Sequence, residues 1–586
     1  MKIKFSVVLM AVLIACSMIL CGCGKKANTG PQVIDKNKTQ IYISVYDGGA
    51  GTDWIVNEAV KFNEGLEDYQ IYIRQEKRPS SQIIQDISAS AGTASAYFTV
   101  DVSFQELIYA DKLVDLTPIL NRTLEGENRK IGDKLRTSDS WEGLATKNGE
   151  GMYLLPYNDS VGGLIFDFDD FVKNDWLFYA EDDADTLAAL NEQNIIYENN
   201  EGKLFYVSGG EDVWFEEGDR IMSAGKDKLF GTYDDGQPQN IAEWNTMISK
   251  IKATNGSYPF LYPGSFLGYT SMVESAYFAQ LAGVEAYKEY FAFDSKGRAV
   301  ELTDGTSKVI TIDNGYDFFK MKEINDTIQF MQTYFTSDNV HPSTKDNTTH
   351  LDAQRQYLNA PVSQGEIPYA AMICEGIWWE NEARTTFNLV GEMDESRGYG
   401  MRDYRFMLLP YIEGQKGITG NAYGSVLSGQ DTGSFFVVKE NDTKKTEVLL
   451  DFLAQTLSDE CLANFTAQTG VIRAYDYNIS DEQFAGMTKF AQNVWRIYKD
   501  TENIEIVRPF QERSKEPIAF AVDSGLNGTL FPFTERGVMY SADTSIVALY
   551  DRDKTASEIL DMVQNCISIS NWNNYISELR EQGFYL

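Results

Sequence analysis

The feature that most constrains this chain is a regular alternation of short apolar strands and amphipathic helices near its N-terminal end. Apolar side chains at alternating positions predict a strand at 41–45, and apolar side chains at helical spacing predict the helix that follows it. The same order recurs with a strand at 69–75 and a helix over 83–91, and a third strand is predicted at 97–102. Successive strand–helix units favour a parallel sheet covered by helices, so the sequence predicts an α/β fold.

The length and the charge of the chain bound its organisation and its partners. At 586 residues it is too long for a single hydrophobic core, which predicts two or more large lobes. It carries 51 basic and 86 acidic residues, a net charge of −35. Because affinity for nucleic acid comes largely from clustered lysine and arginine, this charge excludes a nucleic-acid partner.

The N-terminus has the pattern of a secretory signal. Lys2 and Lys4 precede an apolar run at 5–20, which is shorter than the about 20 residues needed to span a bilayer and so argues against an uncleaved transmembrane helix. Leu20-Cys21-Gly22-Cys23 resembles the bacterial lipobox, whose final cysteine is lipidated. The resemblance implies a signal peptide at 1–22, a lipid on Cys23 and a polar tether at 23–39.

An aromatic strand-to-helix turn at 367–384 predicts a binding function. Residues 369–373 are mostly apolar and lie between Pro368 and Gly376, which predicts a strand buried on both faces. Trp378 and Trp379 follow at the carboxyl edge of the sheet, where α/β proteins place their ligands. Because adjacent helical residues point about 100° apart, we expect one tryptophan to pack and the other to face a ligand.

The mature chain has few cysteine and histidine residues with which to form disulfides or bind zinc. Cys374, Cys461 and Cys566 lie far apart without metal-like spacing, and His341 and His350 are the only histidines. Neither a disulfide framework nor a histidine-rich zinc site is predicted, and no organic cofactor is predicted.

An acidic loop at 225–236 has two interpretations, a calcium site or a solvated turn. Asp227, Asp234 and Asp235 lie among glycines there, which suits a hard cation such as calcium. The loop lacks the ligand order and the closing glutamate of an EF-hand, so a solvated acidic turn is the competing interpretation.

Several motifs together resemble one family. The chain is similar to the extracellular solute-binding lipoproteins of carbohydrate ABC transporters (family 1), which are related to maltodextrin-binding protein. The likeness runs over about 39–480, and its motifs occur in the family's order: KLVDLT at 112–117, YLLPY at 153–157 followed by GLIF at 163–166, the turn at 370–378, LLPYIEG at 408–414, GSVLSG at 424–429 and QTGVI at 468–472. The resemblance implies a periplasmic-binding-protein type II fold, with two lobes of discontinuous sequence around a hinged cleft.

The same resemblance implies a domain division and a biological role. It assigns 40–160 and 430–478 to lobe I, and 161–429 and 479–586 to lobe II. Hairpins predicted around Asn200-Glu201-Gly202 and Lys296-Gly297 are interpreted as insertions at about 190–310. The implied protein is a monomer on the outer face of the bacterial cell membrane, held there by its lipid anchor, and it delivers an oligosaccharide to the permease subunits of an ABC importer.

The chemistry of sugar rings indicates which residue types we expect to bind the ligand in the cleft. The apolar faces of a pyranose stack on tryptophan or tyrosine, and its hydroxyl groups need polar partners in a mostly dry pocket. The family's Gly-x-Trp spacing matches Gly376-Ile377-Trp378, so Trp378 is the first candidate and Trp379 is the expected packing residue. The remaining candidates lie after predicted strands, near the hinge or in the later cleft loops: Asp47, Trp54, Asp101, Phe104, Tyr157, Asn158, Tyr262, Tyr269 and Gly470.

Two other functions stay open at this point. A glycoside hydrolase could use Glu375, Glu380 or Glu382 as a carboxylate pair beside the tryptophans, because hydrolysis needs two carboxyl groups at defined separations. The acids that follow Trp379 are also typical of a solvated first helical turn, which favours binding without catalysis. A binding protein of the same fold could instead take a peptide or another small solute.

Overall fold

The structure is a computed structural model of the full chain. It describes residues 32–100, 104–137, 139–180, 196–198, 204–208, 211–215, 221–265, 267–336, 338–345, 348–429, 433–509, 511–512, 518, 555–566 and 569–581. The predicted signal peptide and Cys23 lie outside the described residues, as does Asp101. Among the described helices, none is both long enough and apolar enough to cross a membrane.

The strands lie where apolar alternation or short apolar runs occur. In chain order they are Thr39–Tyr46 (β1), Tyr69–Glu76 (β2), Ala96–Thr99 (β3), Leu155–Asn158 (β4), Gly162–Asp167 (β5), Ile196–Glu198 (β6), Leu204–Ser208 (β7), Glu211–Phe215 (β8), Tyr258–Leu261 (β9), Ala299–Glu301 (β10), Ser307–Val309 (β11), Ala370–Gly376 (β12), Tyr404–Met407 (β13), Ser425–Ser428 (β14), Gly433–Val437 (β15) and Ile504–Val507 (β16).

The helices follow the amphipathic segments and commonly begin at side-chain caps. They are Asp53–Asn63 (α1), Ser80–Ser88 (α2), Gln105–Tyr109 (α3), Thr117–Leu120 (α4), Ile131–Lys134 (α5), Asp139–Ala145 (α6), Phe168–Lys173 (α7), Ile241–Ala253 (α8), Leu267–Ala282 (α9), Val284–Ala292 (α10), Lys322–Tyr334 (α11), His350–Asn359 (α12), Trp379–Glu382 (α13), Arg384–Met393 (α14), Thr443–Gln455 (α15), Asp459–Thr469 (α16), Asp481–Ala485 (α17), Lys489–Lys499 (α18), Ala556–Cys566 (α19) and Ile569–Glu581 (α20). The Ser458 hydroxyl caps α16 by accepting from the Cys461 amide at 3.1 Å. Short 3₁₀ segments are Ile312–Lys320, Pro342–Lys345, Ala360–Val362 and Glu395–Arg397.

The first sheet has the strand order β2-β1-β3-β15-β4. β1 runs parallel to β2 and β3, as the strand–helix units predicted, but β15 pairs antiparallel with both β3 and β4. The sheet is therefore mixed, because a segment from far along the chain is inserted between two early strands. Ile41, Ile43 and Val45 are each no more than 1% exposed, which explains why their alternation in the sequence predicts a strand so clearly.

The second sheet has the order β16-β14-β5-β12-β9, and β13 also pairs with β5. All seven residues of β12 are buried, as expected for a strand covered on both faces. The chain passes between the two sheets at 159–161 and again after Ser428, before Gly433 begins β15. The passage at 159–161 lies at the edge where β4 and β12 end, and that edge borders the cleft described below. The lobe limits predicted from the sequence stay a prediction.

Two small antiparallel sheets lie between 196 and 309. The hairpin predicted around Asn200-Glu201-Gly202 is confirmed: β6 pairs with β7, and β8 adds a third strand. The hairpin predicted around Lys296-Gly297 is wrong, because residues 284–292 continue as α10 and the observed pair is β10 with β11. The turn between these strands falls at Gly305, where a φ of +79° suits glycine.

Candidate functional site

An open cleft lies between the ends of the two sheets. Its cavity volume is about 290 Å³, which is close to the lower end of the range of small-molecule sites. The first sheet and the loops at its edge supply one wall and the second sheet, with its helices, supplies the other. The described lining residues are Tyr46, Gly48, Gly49, Ala50, Val100, Tyr157, Asn158, Ser160, Tyr269, His350, Trp378, Glu382 and Gly433.

The wall on the side of the second sheet is aromatic. Trp378 follows β12 and is half-buried, and its ring centroid lies 6.3 Å from that of Tyr269 in an edge-to-face arrangement. The Tyr269 ring stacks on the His350 imidazole at 6.2 Å with an angle of 12° between their planes. Burial raises the pKa of Tyr269, with further contributions from Glu375 and Glu382, so its hydroxyl stays protonated. Tyr269 and His350 therefore form a stacked pair, and the Trp378 ring meets that pair at a steep angle.

The two adjacent tryptophans occupy different environments. Trp378 lines the cleft, whereas Trp379 is fully buried and packs edge-to-face on Tyr404 at 5.1 Å. Phe387 and Tyr357 complete the packing around Trp379 at 5.3 and 6.0 Å. The chain therefore uses one tryptophan to hold α13 against the core and leaves the other at the ligand-accessible edge of the sheet.

The opposite wall carries polar atoms that lack partners. Tyr157 and Asn158 end β4, and Ser160 lies in the passage between the sheets. The Asn158 Oδ1 and the Ser160 hydroxyl are both buried and have no hydrogen-bond partner among the described residues. Buried polar atoms without partners are rare in folded proteins, so these two atoms are positioned to bind a polar ligand or ordered water.

A linked polar cluster lies under the aromatic wall. The Gln354 side-chain amide donates to the Glu375 Oε1 at 3.1 Å and to the Glu382 Oε2 at 2.9 Å. The other carboxylate oxygen of Glu382 lies 3.7 Å from the His350 Nε2. Burial, together with the nearby Glu382, raises the pKa of Glu375 well above its ordinary value. Glu375 is fully buried, and Glu382 alone of the two reaches the cleft.

Three candidate residues prove to be core residues and do not line the cleft. Trp54 is 4% exposed and packs edge-to-face on Phe465 at 4.9 Å, because α1 turns that side chain toward the first sheet. Phe104 and Tyr262 are each 0% exposed. Phe104 packs on another phenylalanine of the same core at 4.6 Å, and the Tyr262 hydroxyl donates to a backbone carbonyl at 3.3 Å.

The remaining candidates divide between the cleft, its margin and the rest of the fold. Tyr157, Asn158 and Tyr269 line the cleft together with Trp378. Asp47 follows β1 next to the lining glycines but is not itself a lining residue. Gly470 ends α16 with a φ of +70°, in the left-handed turn that lets the chain leave the helix, and it is not among the described lining residues; its binding role stays a prediction. Asp101 lies outside the described residues.

The acidic loop at 225–236 holds its carboxylates by its own backbone. Asp234 accepts from the amides of Lys226 and Asp227 at 2.8 and 3.2 Å, and Asp235 accepts from Gly231 N at 2.8 Å. Within the described part of the chain, no group of three or more histidine, cysteine, aspartate or glutamate side chains is arranged to hold a metal ion. Calcium binding at this loop stays a prediction.

Reasoning from the sequence missed several lining residues. His350 begins α12, far from Trp378 in sequence, and becomes part of the aromatic wall because α12 packs beside β12. Glu382 was considered there as a catalytic acid and not as a binding residue. Ser160 and Gly49 line the cleft from loops and Gly433 lines it from the start of β15, and their residue types alone carry no signal for it.

Contacts across the cleft tie the two sheets together. The Asn381 side chain donates to the Gly49 carbonyl at 2.6 Å, which joins the turn after β12 to the loop after β1. A Cβ built on Gly49 would lie 2.3 Å from the Trp378 Cβ, so only glycine permits this approach. At the passage between the sheets, the Asp159 carboxylate accepts from Arg508 Nε at 2.9 Å, and the Asp159 amide donates to the Ile472 carbonyl at 2.8 Å.

An unusual arginine lies behind the cleft wall. Arg473 is 0% exposed, and its guanidinium carbon lies 5.0 Å from the Phe465 ring centroid and 5.3 Å from that of Trp54. None of its three side-chain nitrogens has a hydrogen-bond partner among the described residues, and burial lowers the pKa of the group. Contacts with aromatic faces offset part of the cost of burying this charge.

Comparison with known proteins identifies the fold. No protein-family model matches the chain. No curated protein matches it by sequence either. Solved structures match over nearly the whole chain: a chitin oligosaccharide binding protein, at 11% identity and TM-score 0.51, covers 92% of this chain and 99% of its own length. Apo RafE from Streptococcus pneumoniae, at 11% identity and TM-score 0.51, covers 93% of this chain and 99% of its own.

A third match has the same extent. A structure from work on xylan utilization by Caldanaerobius polysaccharolyticus shares 14% identity and TM-score 0.51, and covers 90% of this chain and 100% of its own. The chain has the periplasmic-binding-protein type II fold. The predicted α/β class with two lobes around a cleft is therefore confirmed.

Proposed function

We propose that this type II binding protein captures a carbohydrate, and specifically an oligosaccharide, in the cleft between its two sheets. The observation that carries the proposal is the pairing of two unlike walls. One wall presents the Trp378 ring edge-to-face with the stacked pair Tyr269 and His350. The other presents polar atoms of Asn158 and Ser160 that have no hydrogen-bond partner among the described residues.

This pairing matches the two-sided chemistry of a sugar ring. A pyranose presents apolar C–H faces that stack on aromatic rings and an equatorial rim of hydroxyl groups that donate and accept hydrogen bonds. Asn158 Oδ1 can accept a hydroxyl proton, and the Ser160 hydroxyl can donate or accept one. Similarity to a protein described as binding chitin oligosaccharide supports the same class of ligand at the level of the fold.

We further propose that the protein is a substrate-binding lipoprotein of an ABC importer. The signal-like segment at 1–22 and the lipobox cysteine Cys23 support an N-terminal lipid anchor on the outer face of the cell membrane. In this role the protein acts as a monomer and presents its loaded cleft to the permease subunits, and the net charge of −35 argues against a nucleic-acid partner. Globomycin-sensitive processing, or loss of membrane attachment in a Cys23→Ser variant, tests the anchor.

We propose that the cleft binds without catalysing hydrolysis. Among the described lining residues, Glu382 is the single carboxylate. Glu375 is fully buried, and Glu380 is 3% exposed with its carboxylate accepting from the Thr488 hydroxyl. Glycoside hydrolysis needs two carboxyl groups flanking the scissile bond, and neither buried acid reaches the cleft.

Capture of a peptide remains the competing proposal, because the same fold accommodates other solutes. A peptide would satisfy its backbone groups along the cleft, whereas a glycan would depend on the aromatic wall. The difference makes Trp378 the residue whose removal distinguishes the two ligand classes most directly.

Isothermal titration calorimetry of the soluble protein from residue 32 onward tests the proposed function. The panel contains neutral oligosaccharides of several linkages, from disaccharides to hexasaccharides, and a pool of random hexapeptides. We expect one glycan series to bind and the peptide pool to give no heat. Binding of peptides with no response to any glycan would overturn the proposal, and release of shorter sugars during incubation would overturn the absence of catalysis.

A further inference from the structure

The charges along the cleft are unevenly distributed. The described lining residues include one carboxylate, Glu382, and no lysine or arginine. Proteins that bind acidic sugars depend on arginine or lysine to pair with the carboxylate or sulfate, and the described lining offers neither.

Glu382 is held in a defined position. The buried Gln354, which is 1% exposed, donates to the Glu382 Oε2 at 2.9 Å, and the His350 Nε2 lies 3.7 Å from the other oxygen. The Gln354 amide is itself anchored on the fully buried Glu375 at 3.1 Å. The Glu382 side chain retains 15% exposure and borders the cleft beside the aromatic wall, so the carboxylate is partly desolvated and cannot easily move away from a ligand.

We propose that Glu382 is a specificity-determining residue that rejects acidic glycans, so that the ligand is a neutral or amino-substituted oligosaccharide. The proposal rests on the proposed function, because it assigns a substrate class to the same cleft. A fixed carboxylate accepts hydrogen bonds from sugar hydroxyls and attracts the ammonium of an amino sugar, but it repels the carboxylate of a uronic acid.

The basic groups near the cleft do not reverse this preference. Arg473 lies 5.3 Å from the Trp54 ring centroid, but it is fully buried and is not a lining residue. Arg508 is paired with the Asp159 carboxylate at the passage between the sheets. The His350 Nε2 lies 3.7 Å from the Glu382 Oε1, and the Glu382→Gln comparison below tests the carboxylate with this imidazole in place.

Matched sugar pairs test the inference. Mannotetraose and tetramannuronate share one skeleton and differ only by oxidation at C6, and cellotetraose and its C6-oxidised form make a second pair. N-acetylchitotetraose and its fully deacetylated form supply a neutral and a cationic ligand on a third skeleton. Affinities are measured by calorimetry at pH 8 and at low and high salt.

We expect a neutral or cationic member to bind at least tenfold more tightly than its acidic counterpart, with a smaller gap at high salt. Glu382→Gln keeps an acceptor for Gln354 and should bring the acidic member to within about threefold of the neutral one. The control Glu392→Gln removes the same charge from an exposed position on α14 and should leave the gap unchanged.

Four results would count against these conclusions. Equal affinity for both members of a pair in the wild type, or an unchanged gap in Glu382→Gln, would overturn the inference and leave glycan capture standing. Preference for the uronate would do the same. If no glycan of any charge binds, the proposed function fails and the inference fails with it.

Discussion

The contact between Gly49 and Trp378 provides a direct test of how the cleft closes. A Cβ on Gly49 would lie 2.3 Å from the Trp378 Cβ and 2.8 Å from its Cγ. Non-bonded carbon atoms normally lie about 3.5–4.0 Å apart, so alanine at this position must separate the loop after β1 from the turn after β12 by about 1.2–1.7 Å. Gly49 has no positive φ, so alanine acts through this contact and not through backbone strain.

The separation also affects the hydrogen bond beside it. The Asn381 amide lies 2.6 Å from the Gly49 carbonyl, and a shift of this size takes the pair to about 3.8–4.3 Å, beyond bonding range. Losing one hydrogen bond of this kind destabilises the conformation in which the two loops touch by about 0.5–1.5 kcal/mol. On the proposed function, the conformation with this contact binds the ligand, so Gly49→Ala should weaken sugar binding by roughly 2–12-fold.

Calorimetry with the best glycan of the panel measures this loss, and small-angle scattering of the loaded protein measures the opening. Gly65→Ala is the matched control, because a Cβ at Gly65 meets nothing nearer than the Phe62 carbonyl at 3.7 Å. Asn381→Ala removes the hydrogen bond without adding volume and should show a smaller loss. If Gly49→Ala binds as tightly as the wild type and its loaded form is equally compact, the cleft does not depend on this contact.

Three further predictions concern buried groups. Trp378→Ala should weaken sugar binding by about 1 kcal/mol or more with little effect on unfolding, whereas Trp379→Ala should lower the free energy of unfolding by about 3–5 kcal/mol. Calorimetry measures the loss of binding and urea denaturation measures the loss of stability. Equal effects of the two substitutions would contradict the assignment of Trp378 to the cleft and Trp379 to the core. Burial raises the pKa of Glu380 to about 7 from 4.5, so the folded protein keeps a proton that the unfolded chain releases, and stability should fall by up to about 3 kcal/mol as the pH rises from about 4.5 to about 7. Urea titrations at pH 5 and pH 8 should show a smaller difference in Glu380→Gln, and an unchanged difference would exclude this carboxyl as the cause. Arg473→Met should leave the free energy of unfolding unchanged or raise it by about 1–2 kcal/mol, because it removes a buried charge without partners; a loss above 3 kcal/mol in urea denaturation would show that the guanidinium is paired.

Local sequence patterns predicted many strands and helices of this fold, but they did not predict which strands from distant parts of the sequence pair with each other. β1, β2 and β12 follow directly from alternation or from short apolar runs, and these features depend only on neighbouring residues. The insertion of β15 beside β3 does not, because Thr99 and Ser434 are 335 positions apart and no local pattern encodes that register. For this reason the predicted parallel sheet became a mixed one.

The same distinction explains the candidate site. The turn at Trp378 was predictable because strand, glycine and tryptophan are adjacent in sequence. Trp54 and Phe104 also follow strands closely, but both are buried in the core. The sequence alone does not determine which side chains near the start of a helix will face the sheet. His350 reached the aromatic wall only through tertiary packing of α12, so nothing around it in the sequence linked it to Trp378.

The position of β15 in the first sheet has a consequence for the order in which this chain can fold during synthesis. β15 lies between β3 and β4, so the sheet lacks an inner strand until residues 433–437 have left the ribosome. Most of the polypeptide must therefore be made before the first lobe can complete its hydrogen-bonded core, and pairings over such long separations form slowly. On the proposed route across the membrane, this delay keeps the nascent chain unfolded for as long as a translocation channel requires it.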